Sequence, residues 1–102
     1  MTYALAIALT ARDGCREQVL DLIGELHEIA AGREDCLSSA THQAVDDPNR
    51  LWLYETYSSR AYHQEEHLAI PEVQEVLGRL TPLVLTPWES WAGEVVNGDL
   101  HA

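Results

Sequence analysis

Large and small residues alternate from the start of the chain. In YALAIALT, Tyr3, Leu5, Ile7 and Leu9 alternate with Ala4, Ala6 and Ala8, the period of a strand with one bulky and one small face. Asp13-Gly14 is a turn pair, and either residue can open the helix that follows. Val19, Leu22, Ile23, Leu26 and Ile29 or Ala30 then recur at helical spacing up to Gly32, a natural helix stop. Cys36 to Val45 is a weaker, polar strand. Asp46-Asp47-Pro48-Asn49 reads as a turn, because acid side chains accept local backbone bonds and proline fixes φ. Leu51 to Tyr57 follows as a strong strand, which makes an antiparallel hairpin with the segment before it.

Ser58 or Ser59 can cap a short helix running through about Glu66. Pro71 suits the first turn of a further helix with Val73, Val76, Leu77, Leu80 and Val84 as its apolar stripe, and Pro82 kinks or ends it. Pro87 marks a break before a closing strand, Glu89 to Val96. The order strand, helix, strand, strand, helices, strand predicts a single α+β domain over residues 1–102. Its plan is a split β-α-β unit: a four-stranded antiparallel sheet with helices on one face. The opposite sheet face then needs a cover, and a second protomer packed sheet to sheet supplies one.

Composition fits this plan and narrows the partners. A hydrophobic content of 46% argues against disorder. A chain this short buries only roughly two-thirds of its unfolded surface, so a homodimer is a natural source of extra core. Six basic residues against seventeen acidic ones give a formal net charge of −11, which repels phosphate backbones and anionic membranes. No apolar run reaches the ~20 residues of a membrane helix. The opening segment lacks the basic leader of a signal peptide and reads as a strand, so a cytoplasmic location is expected. Cys15 and Cys36 form no CxxC motif and are expected as free thiols.

The candidate chemistry lies in LWLYETYSSRAYHQEEH, Leu51 to His67. Leu51, Leu53, Glu55 and Tyr57 share one face of their strand, and Trp52, Tyr54 and Thr56 the other. An acid between Leu53 and Tyr57 must be hydrogen-bonded, solvated or proton-bearing. A structural acid and a proton-transfer group both fit. His63 and His67, four apart, share a helix face, but the glutamate of HExxH is not at the required place and no metal is expected. His67 is a pocket residue and candidate base, and His42 a further pocket candidate or a surface residue. Trp88 and Trp91 suit core or interface. No glycine-rich cradle or GxSxG elbow is present, so no nucleotide or flavin cofactor is expected.

Beyond these readings, the chain resembles the antibiotic biosynthesis monooxygenase family of small dimeric α+β barrel proteins over about residues 3–97. The likeness rests on the opening strand followed by DGCREQVLDLI, on DDPN at the hairpin, on YETY and on AYHQEEHLAIPEV. Glu55, Tyr57, Ala61 and His67 match the family's pattern, with Ile70-Pro71 at the helix entry. Two departures accompany the match. The Glu55–His67 interval is longer than the common family spacing. Leu53 and Tyr57 also stand where an aromatic-polyketide oxygenase relative carries an asparagine and a tryptophan.

The resemblance implies a ferredoxin-like protomer, paired through its sheet into a dimeric α/β barrel, with a pocket between sheet and helices. It implies a cofactor-independent monooxygenase acting with molecular oxygen on a small electron-rich aromatic such as a phenol, quinol or anthrone. Other branches degrade haem or isomerise a phosphorylated sugar derivative. In the expected mechanism His67 takes the phenolic proton and Glu55 orients His67 or stabilises its charged form. Tyr57 and Tyr62 orient the ring or bind a reacting oxygen, and Leu53, His63 and His42 line the pocket. The alternative is a noncatalytic binder or accessory protein using the same pocket for a small hydrophobic metabolite.

Overall fold

The computed structural model describes residues 1–98. The elements are β1 (Tyr3–Thr10), α1 (Arg16–Ala31), β2 (Cys36–Gln43), β3 (Arg50–Tyr57), α2 (Pro71–Leu80) and β4 (Glu89–Glu94). Between β3 and α2 run a wide π-type turn, Tyr62–Glu66, and a tight 3₁₀ turn, His67–Ala69. The strands form one antiparallel sheet in the order β2-β3-β1-β4, the ferredoxin-like arrangement. Helices cover one face.

Local chemistry sets the connections. In the turn Arg12–Cys15, the Cys15 amide donates to the Arg12 carbonyl at 2.9 Å. Gly14 has φ +80° there, a conformation that side chains resist, and α1 starts just afterwards. The residue flanking the helix is thus Cys15, not Asp13 or Gly14. At the hairpin the Asp47 carboxylate accepts from the Asn49 amide at 2.9 Å, the local bond that makes such acids turn formers. Ser59 caps the segment after β3: its hydroxyl accepts from the Tyr62 amide at 3.0 Å.

The core lies between sheet and helices. Leu9, Leu51 and Leu53 from the strands meet Val19, Leu22 and Ile23 from α1 and Val76 and Leu80 from α2. Burying one such side chain contributes about 1.5–3 kcal/mol. The expected apolar stripe is present, with one correction. Helix α2 ends at Leu80, and Val84 is fully buried from an extended segment that bridges Ala11. Pro82 has no amide hydrogen to continue an α-helix, so residues 81–83 tighten into a 3₁₀ turn. The closing strand likewise stops at Glu94, short of Val96.

Register sorts the sheet faces. Tyr3, Leu5, Ile7 and Leu9 pair with Tyr57, Glu55, Leu53 and Leu51, and this row faces the helices. The other face carries Ala4, Ala6 and Ala8 along its centre. Tyr54 and Trp91 pair with Ala6 from opposite sides, and Trp52 pairs with Ala8. Trp52 and Tyr54 are each 36% exposed and Trp91 is 53% exposed, so the aromatic flanks of this face are uncovered in the protomer, with Ala4 and Ala6 half-buried and Ala8 buried between them.

Candidate active site

Between the layers lies a cavity of about 190 Å³. Leu5, Ile7, Leu9 and Leu53 supply its sheet side, and Leu26, Val73, Leu77 and Leu80 its helix side. Trp88 packs inward against it. Into this apolar chamber come Glu55, Tyr57, His63 and His67, with His27 and Ser39 from α1 and β2. An apolar space with a few converging polar groups is the usual form of a small-molecule site.

The pleat of β3 places Leu53, Glu55 and Tyr57 on one side, as their spacing predicts. The turn after β3 brings back two histidines. The His67 amide bonds the carbonyls of both Tyr62 and His63, so the wide turn keeps His63 and His67 on one face. Their rings stack at 5.8 Å, and Tyr57 touches both, with centroids 4.6 Å from His63 and 5.0 Å from His67. Tyr62 packs beside Tyr57 and His67 at 6.3 Å from each.

The hydrogen bonds differ from the expected relay. Tyr57 Oη donates to Glu55 Oε2, two positions back on the same strand. His67 Nδ1 instead lies 3.6 Å from Cys36 Sγ, which is also 3.9 Å from Tyr62 Oη. Glu55 therefore orients Tyr57, not His67, in this protein. His63 is buried, and its Nδ1 has no hydrogen-bond partner among the described residues. An unsatisfied buried polar atom costs about 1–3 kcal/mol.

Burial tunes these groups. It pushes the Glu55 carboxyl above the ordinary range, although the Tyr57 hydroxyl works against the rise by bonding the charged form. Tyr57 is raised as well, by burial first and then by the Glu55 charge, and remains a phenol. His67 is lowered to about 4, chiefly by burial, with smaller contributions from His63 and Arg33. Burial also lowers His63 and His27. At neutral pH all three rings are uncharged.

His42 is not part of the cavity. It pairs with Trp52 on the outer sheet face and is exposed. Alternation along β2 puts Ser39 and Thr41 inward, and both hydroxyls bond the His27 ring, with Thr41 Oγ1 at 2.6 Å from Nε2. Ser39 sits directly across from Glu55. His27 was missed from the sequence, although its place four after Ile23 puts a polar residue on the apolar stripe. Cys36 was not legible. A bulge between Cys36 and Ser38 shifts the register and sets Cys36 opposite Tyr57. Among the described residues, no cluster of three or more His, Cys, Asp or Glu side chains is arranged to hold a metal ion.

Layering, strand order and cavity define a ferredoxin-like α+β protein with a chamber between sheet and helices. The chain belongs to the antibiotic biosynthesis monooxygenase family, whose model matches residues 2–79. A candidate antibiotic biosynthesis monooxygenase from Chloroflexus aurantiacus is 26% identical, with TM-score 0.80 over 97% of each chain. A Mycobacterium tuberculosis protein shares the fold at TM-score 0.86 and 18% identity, over 96% of this chain and 98% of its own. A candidate of the same family from Nitrosomonas europaea gives 0.85 at 17% identity, over 93% of this chain and 90% of its own. No curated protein matches the chain significantly.

Proposed function

We propose that this protein is a cofactor-independent monooxygenase acting on a small electron-rich aromatic, a phenol, quinol or anthrone. The observation that carries the reading is the Glu55–Tyr57 pair facing an apolar cavity beside two neutral histidines. Glu55, raised by burial, accepts the proton of the substrate hydroxyl or its acidic carbon tautomer. A raised carboxylate is the better base here, because His67 at about 4 holds protons weakly at neutral pH. His67 instead hydrogen-bonds the substrate oxygen, and Tyr57 keeps the carboxylate in place. Leu53 and the buried His63 shape the wall, and Tyr62 packs behind His67.

The resulting anion is electron-rich enough to pass electrons to oxygen directly. For an anthrone, the CH₂ carbon gains one oxygen atom as a carbonyl. The second oxygen atom leaves as water with both hydrogens, so the substrate supplies every electron. Oxygen uptake by metal-free protein over a panel of quinols and anthrones tests this. No turnover above a Glu55→Gln control would sink it.

A second reading is a noncatalytic binder of the same kind of molecule, supported by the occupied Glu55 and the weakly basic His67. Native mass spectrometry that finds a small ligand released unchanged under oxygen would favour it. We further propose that two protomers pair through the outer sheet face, closing the α/β barrel, with Trp52, Tyr54 and Trp91 flanking the alanine track.

A further inference from the structure

We propose that Cys36 is a positioning residue for His67: its thiol holds the Nδ1 edge of the ring, so that the neutral imidazole presents an Nε2–H donor to the cavity. The juxtaposition comes from the bulge that ends the regular pairing of β2. Without that shift, Cys36 would fall on the same face as Ser38, away from the helices. With it, Cys36 lies across from Tyr57, and Sγ comes within 3.6 Å of His67 Nδ1 and 3.9 Å of Tyr62 Oη.

Three groups in a row must share their protons. A neutral imidazole has one donor and one acceptor nitrogen, and the bond made at one edge decides which is which. Burial raises the Cys36 thiol above its ordinary value, so it carries its proton at neutral pH. Sulfur is a weak acceptor, whereas an unprotonated ring nitrogen is a strong one. The favoured arrangement therefore runs from the Tyr62 hydroxyl to Sγ, and from S–H to Nδ1. The remaining ring proton sits on Nε2. His67 lines the cavity, and its Nε2 has no protein partner among the described residues.

The chemical consequence rests on the monooxygenase reading. Opposite a carboxylate that removes a proton, an N–H donor stabilises the oxygen where negative charge develops. The site then selects ligands that combine a hydroxyl with a carbonyl or phenolate oxygen. An imidazole in the other tautomer would offer a second acceptor and repel the same oxygen.

Imidazole nitrogen NMR of the ligand-free protein at neutral pH tests the proposal without any turnover. The expected wild-type spectrum has His67 Nδ1 as the pyridine-type nitrogen and Nε2 as the pyrrole-type one. Cys36→Ser, which keeps a donor, should preserve that pattern. Cys36→Asp, which supplies only an acceptor, should move the proton to Nδ1 and reverse it. A protonated Nδ1 in the wild type, or a Cys36→Asp spectrum unchanged from it, overturns the assignment. The wild-type spectrum decides even where a variant does not fold. Dihydroxyanthraquinone, added as a probe, should shift the His67 Nε2–H signal. If the tautomer is as expected and the quinol and anthrone panel gives no oxygen uptake above Glu55→Gln, the monooxygenase reading falls and the role of Cys36 stands.

Discussion

Tyr57 donates its hydroxyl hydrogen bond to the Glu55 carboxylate, its neighbour two places back on the same face of β3. The strand pleat alone makes this contact possible, since residues i and i+2 project from one side. The pair places an acid in an apolar chamber and gives its charged form one protein donor. Burial raises the proton affinity of Glu55, and the Tyr57 hydrogen bond opposes that rise.

Replacing that donor should change the acid in a known direction. A hydrogen bond to the charged form lowers a carboxyl pKa, and its loss leaves burial unopposed. Tyr57→Phe should raise the Glu55 pKa further above its ordinary value. A carbon NMR titration of the Glu55 carboxyl reads this directly. A pKa that falls or does not move would show that the bond contributes nothing in solution.

Catalysis should be more sensitive to Glu55 than to any histidine of the cavity. Glu55→Gln keeps shape and the Tyr57 contact but removes the proton acceptor. General-base loss lowers kcat/KM by roughly 100- to 10,000-fold. A smaller effect at Glu55 than at His67, measured by oxygen uptake, would return the role of base to the histidine.

Much of this architecture was legible in the sequence, and the exceptions have local causes. Alternation in β1 and β3 placed Leu53, Glu55 and Tyr57 on one face without ambiguity. The order of elements led to the split β-α-β plan, a four-stranded antiparallel sheet with helices on one face. His42 was misplaced because β2 is polar on both sides, so hydrophobicity could not say which face was inward. The register shift at Cys36 has no composition signal. The wide turn that joins His63 to His67 was also hidden, because an extra residue per turn leaves a helical pattern nearly unchanged over so short a stretch. Glu55 was first matched with His67 from the family-like arrangement, whereas its partner is Tyr57, two places along the same strand.

Stability should respond to acid through the buried histidines. The folded pKa of His67 lies at about 4, below the ordinary 6.5. Between those values the unfolded chain binds the proton and the folded chain does not, so stability is present above 6.5 and falls as pH drops towards about 4. Glu55 acts with the opposite sign, because its folded pKa is raised above 4.5 and the folded state holds the proton longer. In urea melts across this range, His67→Gln should flatten the acid loss and Glu55→Gln should steepen it. Parallel curves for all three proteins would refute the linkage.

Core and surface positions on the same hairpin should separate cleanly. Leu51 is 1% exposed and packs among Leu9, Val19 and Val84. Leu51→Ala should cost about 2–5 kcal/mol, the transfer of the lost methyl groups plus the cavity left behind. His42→Ala, on the exposed outer face, should stay within about 0.5 kcal/mol for the protomer and leave oxygen uptake intact. Equilibrium denaturation and the uptake assay check both.

The outer sheet face should decide the assembly. Its centre is the recessed track Ala4, Ala6 and Ala8, and its flanks are Trp52 and Tyr54 on one side and Trp91 on the other. A ridge of rings beside a track of methyl groups is self-complementary about a two-fold axis, because each protomer can lay its ridge along the other's track. Aromatic burial is a strong source of association energy, and these three rings are the large apolar groups left exposed on this face. Light scattering at low micromolar concentration should report about twice the 11.4 kDa chain mass. Trp91→Glu would place an unpaired charge in the apolar interface and should return the mass to 11.4 kDa while the protomer stays folded. A wild-type protein that remains monomeric with a native spectrum, or a Trp91→Glu variant that remains a dimer, would remove this face from the interface.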